Sequence, residues 1–237
     1  MSSHLHSDLA PNGKIRAGIN FGNALLANRD ADGTPRGIAV DLAQELARRV
    51  GVPLEIVSYT TAGKMADGAK VGAWDVAFLA TDPDRATDII FTAPYLEIHT
   101  TYLVPADSPL RTSADADREG IRIAVSAKSA YDLFLTRELK HAQLVRAAGV
   151  DASVDLFLGE GLDALAGLKP LLIDLAEKHP GMRVLDVYFT VVQQAVGVPK
   201  GRDAAARYVA EFVANIKVSG LVGTLIKKNG IRGVSIP

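Results

Sequence analysis

Apolar residues recur every four positions in one stretch of the first hundred residues, a spacing that is typical of one buried face of an α-helix. The residues on this face are Ile38, Leu42, Ala43, Leu46, Ala47 and Val50. Gly51 follows the last of them and Pro53 comes two residues later, and both residue types end helices. The pattern therefore predicts a helix over residues 38–50.

Short apolar runs with the length of buried strands occur on both sides of this helix and again in the second half of the chain. The predicted strands are Ile15–Ile19, Leu54–Val57, Trp74–Leu79, Ile121–Val125 and Leu162–Ala166. The predicted helices lie at about 61–70, from Ser129, from Val150, at Leu171–Lys178 and around Tyr208–Ile216. Strands that alternate with helices pair through right-handed crossovers, so an α/β fold is expected.

Two extended segments are expected to connect two lobes. These segments are Thr100–Val104 and Gln193–Val198. We expect residues 1–103 and 194–237 to form lobe 1, and residues 104–193 to form lobe 2. Each lobe is expected to be a mainly parallel sheet flanked by helices. The two strands that cross between the lobes would then act as a hinge beside an interlobe cleft.

The composition excludes several classes of protein. The 237 residues include 26 Lys and Arg and 27 Asp and Glu, and no basic stripe or interleaved aromatics indicate binding to nucleic acid. No apolar stretch reaches the roughly 18–20 residues that span a membrane. The chain has no cysteine, so disulfides and thiolate chemistry are excluded. No cofactor and no metal site are expected.

The first 14 residues are polar and lack the apolar core of a secretory signal. We expect a frayed tail here, with metal binding by His4 and His6 as the alternative. A periplasmic protein whose signal has been removed and a cytoplasmic protein are both consistent with this sequence.

The segment that follows the third predicted strand carries the candidate chemistry. Arg85 comes just after this strand and begins a short helix, at the kind of position where ligands of open α/β sheets bind. A guanidinium binds a carboxylate through two parallel hydrogen bonds, which a lysine cannot do. Arg85 is therefore a candidate for binding a ligand carboxylate, and a surface arginine near a helix terminus is the alternative.

Five short motifs occur in a recognisable order along the chain. They are Gly37–Ala43, Asp82–Arg85, Phe91–Tyr95, Leu162–Ala164 and Ser219–Gly220. Together they resemble those of type II periplasmic solute-binding proteins, in the branch that serves polar amino acid ABC transporters (extracellular solute-binding proteins, family 3). The resemblance implies two lobes that close on a small molecule by hinge motion, a monomer, an ABC permease as partner and a periplasmic location.

The resemblance also implies roles for individual residues. Arg85 matches the arginine that holds the ligand α-carboxylate, and Ser129 matches a hydroxyl residue at a helix start in the second lobe. A helix N-terminus attracts anions, although Ser129 with Asp132 three residues later also fits a plain capping box. In the first loop, Asn20 and Asn23 are expected to bind a polar ligand, with support of the turn as the alternative.

Some expected site residues depart from the family pattern. Ala80, with Thr81 beside it, stands five residues before the arginine, where the family usually has Ser or Thr. We expect Ala80, Thr81 and Asp82 to line the ligand site. Lys128 replaces the glycine that precedes the hydroxyl residue. It either adds positive charge to the site or points to solvent.

The largest departure concerns a ligand amine. The family binds it with an acid shortly after the strand Leu162–Ala164, but Gly167, Leu168 and Lys169 stand there. An ammonium group without its partner would be costly to bury. The ligand is therefore expected to be a carboxylate that need not be an α-amino acid. Lys169 would favour a second anionic group, and Asp82 keeps an amino acid open as the alternative.

The expected function is capture of a small carboxylate in the interlobe cleft for ABC-type uptake, without catalysis. Two alternatives stay open: a cyclohexadienyl dehydratase-like enzyme of the same fold, and a cytoplasmic ligand-sensing module. The chain shows no nucleophile motif and no metal-ligand spacing that favour an enzyme. His99, at the first connecting segment, is expected to be structural, with a cleft-facing role as the alternative.

Overall fold

The computed structural model describes residues 3–237, with side chains from residue 6 onward. Within this part of the chain the helices are α1 (Ser3–Leu9), α2 (Ile38–Val50), α3 (Ala62–Asp67), α4 (Ser113–Ala116), α5 (Ala130–Glu138), α6 (Val150–Glu160), α7 (Lys169–Lys178), α8 (Asp203–Val218) and α9 (Leu221–Lys228). The strands are β1 (Ile15–Asn20), β2 (Asn28–Arg29), β3 (Pro35–Arg36), β4 (Leu54–Tyr59), β5 (Val76–Ala80), β6 (Ile89–Phe91), β7 (Leu96–Pro105), β8 (Arg122–Ser126), β9 (Gln143–Ala147), β10 (Ala164–Leu168), β11 (Met182–Val184), β12 (Thr190–Pro199) and β13 (Val234–Ser235). Short 3₁₀ turns lie at Gly68–Val71 and Arg85–Thr87.

The chain divides into two compact units. Unit 1 contains residues up to 97 and residues 193–237, and unit 2 contains residues 98–192. The chain passes from one unit to the other within β7 and again within β12. The lobe boundaries predicted from the sequence, after Leu103 and after Gln193, lie in these same two strands.

The sheet of unit 1 is built around β1. This strand pairs in parallel with β4 and with β5, and β12 pairs antiparallel with β5 and with β6. Gly18 lets β1 lie close to β5, because a Cβ at this position would be 3.2 Å from the Cβ of Ala77 and from the Trp74 ring. α2 covers the sheet with the apolar face that the sequence predicts, and its bounds of 38–50 are confirmed.

The sheet of unit 2 repeats this plan around β8. β8 pairs in parallel with β9 and β10, and β10 pairs antiparallel with β7, which also pairs with β11. The core on this sheet consists of Leu103, Ala124, Phe157, Leu162, Leu165 and Leu172. The expected α/β fold is confirmed. Strand pairing in each unit is mixed, because β7 and β12 pair antiparallel with β10 and β5, while β1 and β8 pair in parallel with their neighbours.

The expectation of a frayed N-terminal tail is wrong for the described residues. α1 packs against α8, and Leu9 is fully buried. Asp8 joins the two segments, since its carboxylate accepts a hydrogen bond from the backbone N–H of Ala204 and its carbonyl accepts one from Arg202. Met1, Ser2 and the side chain of His4 lie outside the described part of the chain.

The C-terminal helices belong to the core of unit 1. The buried residues of α8 are Ala205, Val209, Phe212, Val213 and Ile216. Among the described helices, none is by itself both long enough and apolar enough to cross a membrane, and only α8 and α9 taken together, bent by 72°, meet that requirement by length and composition.

Candidate functional site

In unit 1 the candidate residues gather at the carboxyl ends of three parallel strands. β1, β4 and β5 all end at the same edge of the sheet, and Asn20 at the end of β1 pairs with Tyr59 at the end of β4. The loop with Asn23 follows β1, and the segment from Thr81 to Arg85 follows β5. Candidate residues that are far apart in the sequence of this unit therefore lie at the ends of neighbouring strands.

Arg85 begins a 3₁₀ turn, and its side chain folds back to the strand that precedes it. Its Nη1 donates a hydrogen bond of 2.8 Å to the carbonyl of Ala80, and only 6% of the residue is exposed. Burial lowers the pKa of the guanidinium to about 10, although the charges of Asp82 and Asp67 act in the opposite direction. The surroundings therefore disfavour the charged form of Arg85, and an added anion would stabilise it.

The segment between β5 and Arg85 is shaped by backbone hydrogen bonds. Oδ1 of Asp82 accepts a bond of 2.9 Å from the backbone N–H of Asp84, which closes a tight turn before the arginine. The N–H of Thr81 donates to the carbonyl of Gln193 in β12. Ala80 is 5% exposed and contributes its carbonyl to Arg85. In this arrangement Ala80 and Asp82 position the arginine.

The two asparagines of the first loop differ in their hydrogen bonds. Oδ1 of Asn20 accepts a bond of 3.0 Å from the N–H of Gly22 and so supports the turn. Gly22 is required there because a Cβ would lie 1.9 Å from the carbonyl oxygen of Thr60. Oδ1 of Asn23, by contrast, is buried and has no hydrogen-bond partner within the described residues. Asn23 is thus the asparagine whose side-chain oxygen suits a ligand donor.

Phe21, between these asparagines, has one face covered by a cation. The guanidinium of Arg29 lies 4.2 Å from the ring centroid and also donates hydrogen bonds to the carbonyl of Gly33 and to Oγ of Ser58. Sequence reasoning missed Arg29. Arg29 comes eight positions after Phe21, and the loop between them is built of turns, so no helix or strand spacing links the two residues.

In unit 2, Ser129 and Lys128 lie at the carboxyl end of β8. Ser129 is the N-cap of α5, and its Oγ accepts a bond of 3.0 Å from the N–H of Asp132. The predicted capping box is only half formed, because the carboxylate of Asp132 accepts from the N–H of Lys128 and not from that of Ser129. Arg146 holds the same carboxylate at 2.9 Å. Ser129 is therefore an N-cap in a well-connected turn.

Two further features define this turn. Tyr131 hydrogen-bonds to the side chains of Ser129 and Ser126, and burial raises the pKa of its hydroxyl to about 12 in spite of these bonds. Lys128 has a φ of 56°, and it is the one non-glycine residue with positive φ in the described chain. A left-handed backbone favours glycine, which explains why a glycine is expected at this position.

Lys169 begins α7, directly after β10. Its Nζ lies 3.3 Å from Oδ1 of Asp186 and 5.2 Å from the ring centroid of Tyr188. The ring of Tyr188 in turn lies on that of His99, with centroids 4.3 Å apart. Sequence reasoning singled out Lys169 and His99 separately and missed Tyr188 and Asp186. Both missed residues lie between β11 and β12 in a segment without regular structure.

Among the described residues, no three or more His, Asp or Glu side chains are arranged to hold a metal ion. The groups available to bind a ligand are charged and polar side chains and the N-termini of α5 and α7. Such groups recognise anions and hydrogen-bonding ligands.

Comparison with known proteins identifies the family. The family model of bacterial extracellular solute-binding proteins, family 3, matches residues 15–230. The chain belongs to this family. The family resemblance stated from the motifs is confirmed.

Three relatives illustrate the range of the fold. A cyclohexadienyl dehydratase from Pseudomonas aeruginosa is 25% identical over 206 residues, which cover 82% of this chain and 74% of that protein. The solute receptor for L-cysteine of Neisseria gonorrhoeae has a TM-score of 0.84 at 22% identity, over 98% of this chain and 96% of that one. A mutant of the arginine-binding protein of T. maritima has a TM-score of 0.79 at 23% identity, over 94% and 97%. The two solved structures share the fold of this chain.

Proposed function

We propose that this chain is a solute-binding protein that captures a small organic acid for ABC-type uptake in the periplasm. The observation that carries the proposal is the burial of Arg85 at the carboxyl end of β5, in surroundings that lower its pKa. Perturbed charges of this kind concentrate at functional sites. Arg85 also follows the carboxyl end of a strand, where ligands of open α/β sheets bind, and a guanidinium holds a carboxylate through two parallel hydrogen bonds.

Unit 2 has its own candidate anion-binding residue at the start of α5. Ser129 starts α5, whose first turn presents a partial positive charge to an anion. The hydrogen bonds that Asp132 accepts from Lys128 and Arg146 fix the orientation of this helix start.

The class of ligand is inferred from the residues at the start of α7 and from Asn23. Gly167 and Leu168 at the end of β10, and Lys169 directly after it, stand where an acid would pair with a ligand amine. The ligand is therefore a carboxylate for which an α-amine is not required. Asn23, with its buried Oδ1, accepts a hydrogen bond from a hydroxyl or amine of the ligand.

A direct test compares ligands and two arginine variants. Thermal shift with standard amino acids and with carboxylates that lack an amine gives the ligand class, and calorimetry then gives affinities. Arg85→Lys should weaken binding by about 10- to 100-fold, because a charged hydrogen bond is worth about 1.5–3 kcal/mol. Arg48→Lys is the matched control, since the Arg48 side chain is 71% exposed and pairs only with the nearby Glu45.

Two results would count against the proposal. Stabilisation by standard amino acids alone contradicts the ligand class but leaves the binding role intact. Unchanged affinity in Arg85→Lys contradicts the assignment of the arginine itself.

A dehydratase is the second candidate, favoured by the 25% identity to a cyclohexadienyl dehydratase over 82% of the chain. The assay is loss of water from a cyclohexadienyl acid, followed by mass spectrometry. Turnover that disappears in Arg85→Lys would replace the uptake proposal. Tight binding without turnover supports uptake.

A further inference from the structure

Asparagine is followed by glycine twice in the chain, at Asn12–Gly13 and at Asn229–Gly230. An asparagine in such a pair can lose its side-chain amide, because glycine has no Cβ to keep the side-chain carbonyl carbon away from the backbone nitrogen. Both glycines have a positive φ, 72° for Gly13 and 63° for Gly230, and their N–H groups donate backbone hydrogen bonds of 2.9 Å and 3.1 Å. The backbone around the two nitrogens is therefore similar, and a difference in reactivity would come from the asparagine side chains.

The side chain of Asn229 is held by two hydrogen bonds. Its Nδ2 donates a bond of 2.8 Å to Oδ2 of Asp41 and one of 2.9 Å to the carbonyl of Leu225. Nζ of Lys228 lies 2.7 Å from the other oxygen of Asp41, so the carboxylate that holds the amide is itself fixed. To reach the nitrogen of Gly230, the side chain of Asn229 would have to break these bonds, one of which has a charged acceptor.

The side chain of Asn12 has no such support. Asn12 is exposed in the connection between α1 and β1, and its amide makes no hydrogen bond within the described residues. Gly13 is also exposed, and nothing lies within 4 Å of the place where its Cβ would stand. The amide of Asn12 can therefore rotate toward the nitrogen of Gly13 without breaking a bond of its own, and water reaches both groups.

We propose that Asn12 is a site of spontaneous deamidation, and that the hydrogen bond to Asp41 protects Asn229 from the same reaction. The backbone nitrogen of Gly13 attacks Cγ of Asn12, and the bond from Cγ to the side-chain nitrogen breaks. The proton of the attacking nitrogen passes through water to the leaving nitrogen, which departs as ammonia. Water then adds to either carbonyl of the succinimide and gives aspartate or isoaspartate, so one water is consumed, one ammonia is released and no oxidation state changes.

The product places a new carboxylate in the turn before β1. Lys14, two positions after Asn12, pairs with Glu55 of β4, so the new charge arises close in sequence to an ammonium group that already has a partner. Isoaspartate also routes the backbone through the former side chain and lengthens the connection between α1 and β1 by one carbon. Since the chain has a formal charge of -1, the added negative charge is resolved by ion-exchange chromatography.

Peptide mapping of the full chain tests the proposal. The folded protein is incubated at mildly alkaline pH in water enriched in heavy oxygen and then digested, and the peptides of the two sites are compared by mass spectrometry. Deamidation at Asn12 should be about tenfold or more faster than at Asn229, the value of one hydrogen bond to a charged acceptor. An isoaspartyl methyltransferase should methylate the peptide of position 12, because isoaspartate forms only through the succinimide.

The unfolded chain is the matched control. In urea both asparagines lose their folded surroundings, so their rates should become similar. Asp41→Asn keeps the shape of the acceptor but removes its charge, so it should raise the rate at Asn229 and leave the rate at Asn12 unchanged. If this variant does not fold, the comparison of the two sites in wild-type protein, folded and in urea, still decides the matter.

Three results would overturn the inference. Equal rates at the two sites in the folded chain would show that Asp41 gives no protection. An Asn12 that reacts in urea but not in the folded chain would show that the turn itself prevents the attack. A difference that persists unchanged in urea would assign the rates to the neighbouring residues in the sequence and not to the fold. None of these results depends on the proposed function, since neither site contains a residue assigned to the ligand.

Discussion

Two buried charges, Asp75 and Arg85, flank β5 in unit 1. The surroundings of Asp75 favour its charged form, whereas those of Arg85 disfavour its charged form. Asp75 is fully buried and accepts four hydrogen bonds, three from Arg16 and one from Arg202. Burial alone would raise the pKa of its carboxyl, but the hydrogen bonds from the two arginines outweigh burial and lower it. For Arg85, burial dominates and lowers the pKa to about 10, so the charged form is disfavoured.

The difference separates a charge that stabilises the fold from one that is suited to a ligand. The network of Asp75 is complete, and its two arginines tie β1, β5 and the start of α8 together. Arg85 donates a hydrogen bond to the carbonyl of Ala80, and burial is the largest influence on the pKa of its guanidinium. Loss of Asp75 should therefore affect folding, and loss of Arg85 should affect binding.

The largest effect on stability is expected for Asp75→Asn. Removing the charge leaves Arg16 and Arg202 together without their shared carboxylate, which should lower the free energy of unfolding by about 3 kcal/mol. Urea unfolding at pH 7 measures the loss. The matched control is Asp174→Asn in α7, an exposed residue, which should change stability by less than about 0.5 kcal/mol.

The contribution of Asp75 to stability should also depend on pH. The pKa of Asp75 is lowered from 3.8 in the folded chain, so its contribution is present above that value and is lost as pH falls through the lowered pKa. The difference in stability between wild type and Asp75→Asn should therefore shrink below about pH 3.8. A difference that stays constant down to pH 2 would contradict the charge network.

A smaller effect of opposite sign is expected for Tyr95→Phe. The hydroxyl of Tyr95 is fully buried without a hydrogen-bond partner in the described residues, and burial raises its pKa. Removal of an unsatisfied hydroxyl should raise the free energy of unfolding by about 1 kcal/mol. Thermal and urea unfolding measure the gain. A loss of stability would show that the hydroxyl has a partner, such as a buried water.

The smallest effect is expected for Lys128→Gly. A lysine at a φ of 56° is strained, and glycine relieves that strain but adds entropy to the unfolded chain, so the net gain should be about 0.5 kcal/mol. If Lys128 also attracts the ligand, carboxylate affinity falls while stability rises. Lys140→Gly, at a backbone position without positive φ, is the control and should not gain stability.

The sequence predicted those elements whose residue pattern lies within one continuous segment. The apolar face of α2 and its end before Gly51 were predicted, because the spacing and the glycine lie within one segment. α1 was missed because its order depends on Asp8 and Arg202, which are 194 residues apart. β9 was missed because it is an edge strand with mostly half-exposed residues, so it lacks a continuous apolar run.

For the candidate site, too, only features whose signal lies within one segment could be predicted. Arg85 and Ser129 follow strands directly, so their position at a carboxyl end could be inferred from chain order. The contact of His99 with Tyr188 joins residues from a strand and an irregular segment, and no spacing in the sequence indicates it. The half-formed capping box at Ser129 depends on Arg146 in β9, a strand that the sequence reading lacked.

The most direct measurement is made on Arg85→Met, with unfolding and carboxylate binding determined on the same protein. The account predicts a smaller loss in the free energy of unfolding than Asp75→Asn gives, since burial disfavours the charge of Arg85 whereas the hydrogen bonds of Asp75 favour its charge. It also predicts a loss of affinity of about tenfold or more. A loss of stability as large as that of Asp75→Asn, with unchanged affinity for carboxylates, would show that Arg85 serves the fold and not a ligand.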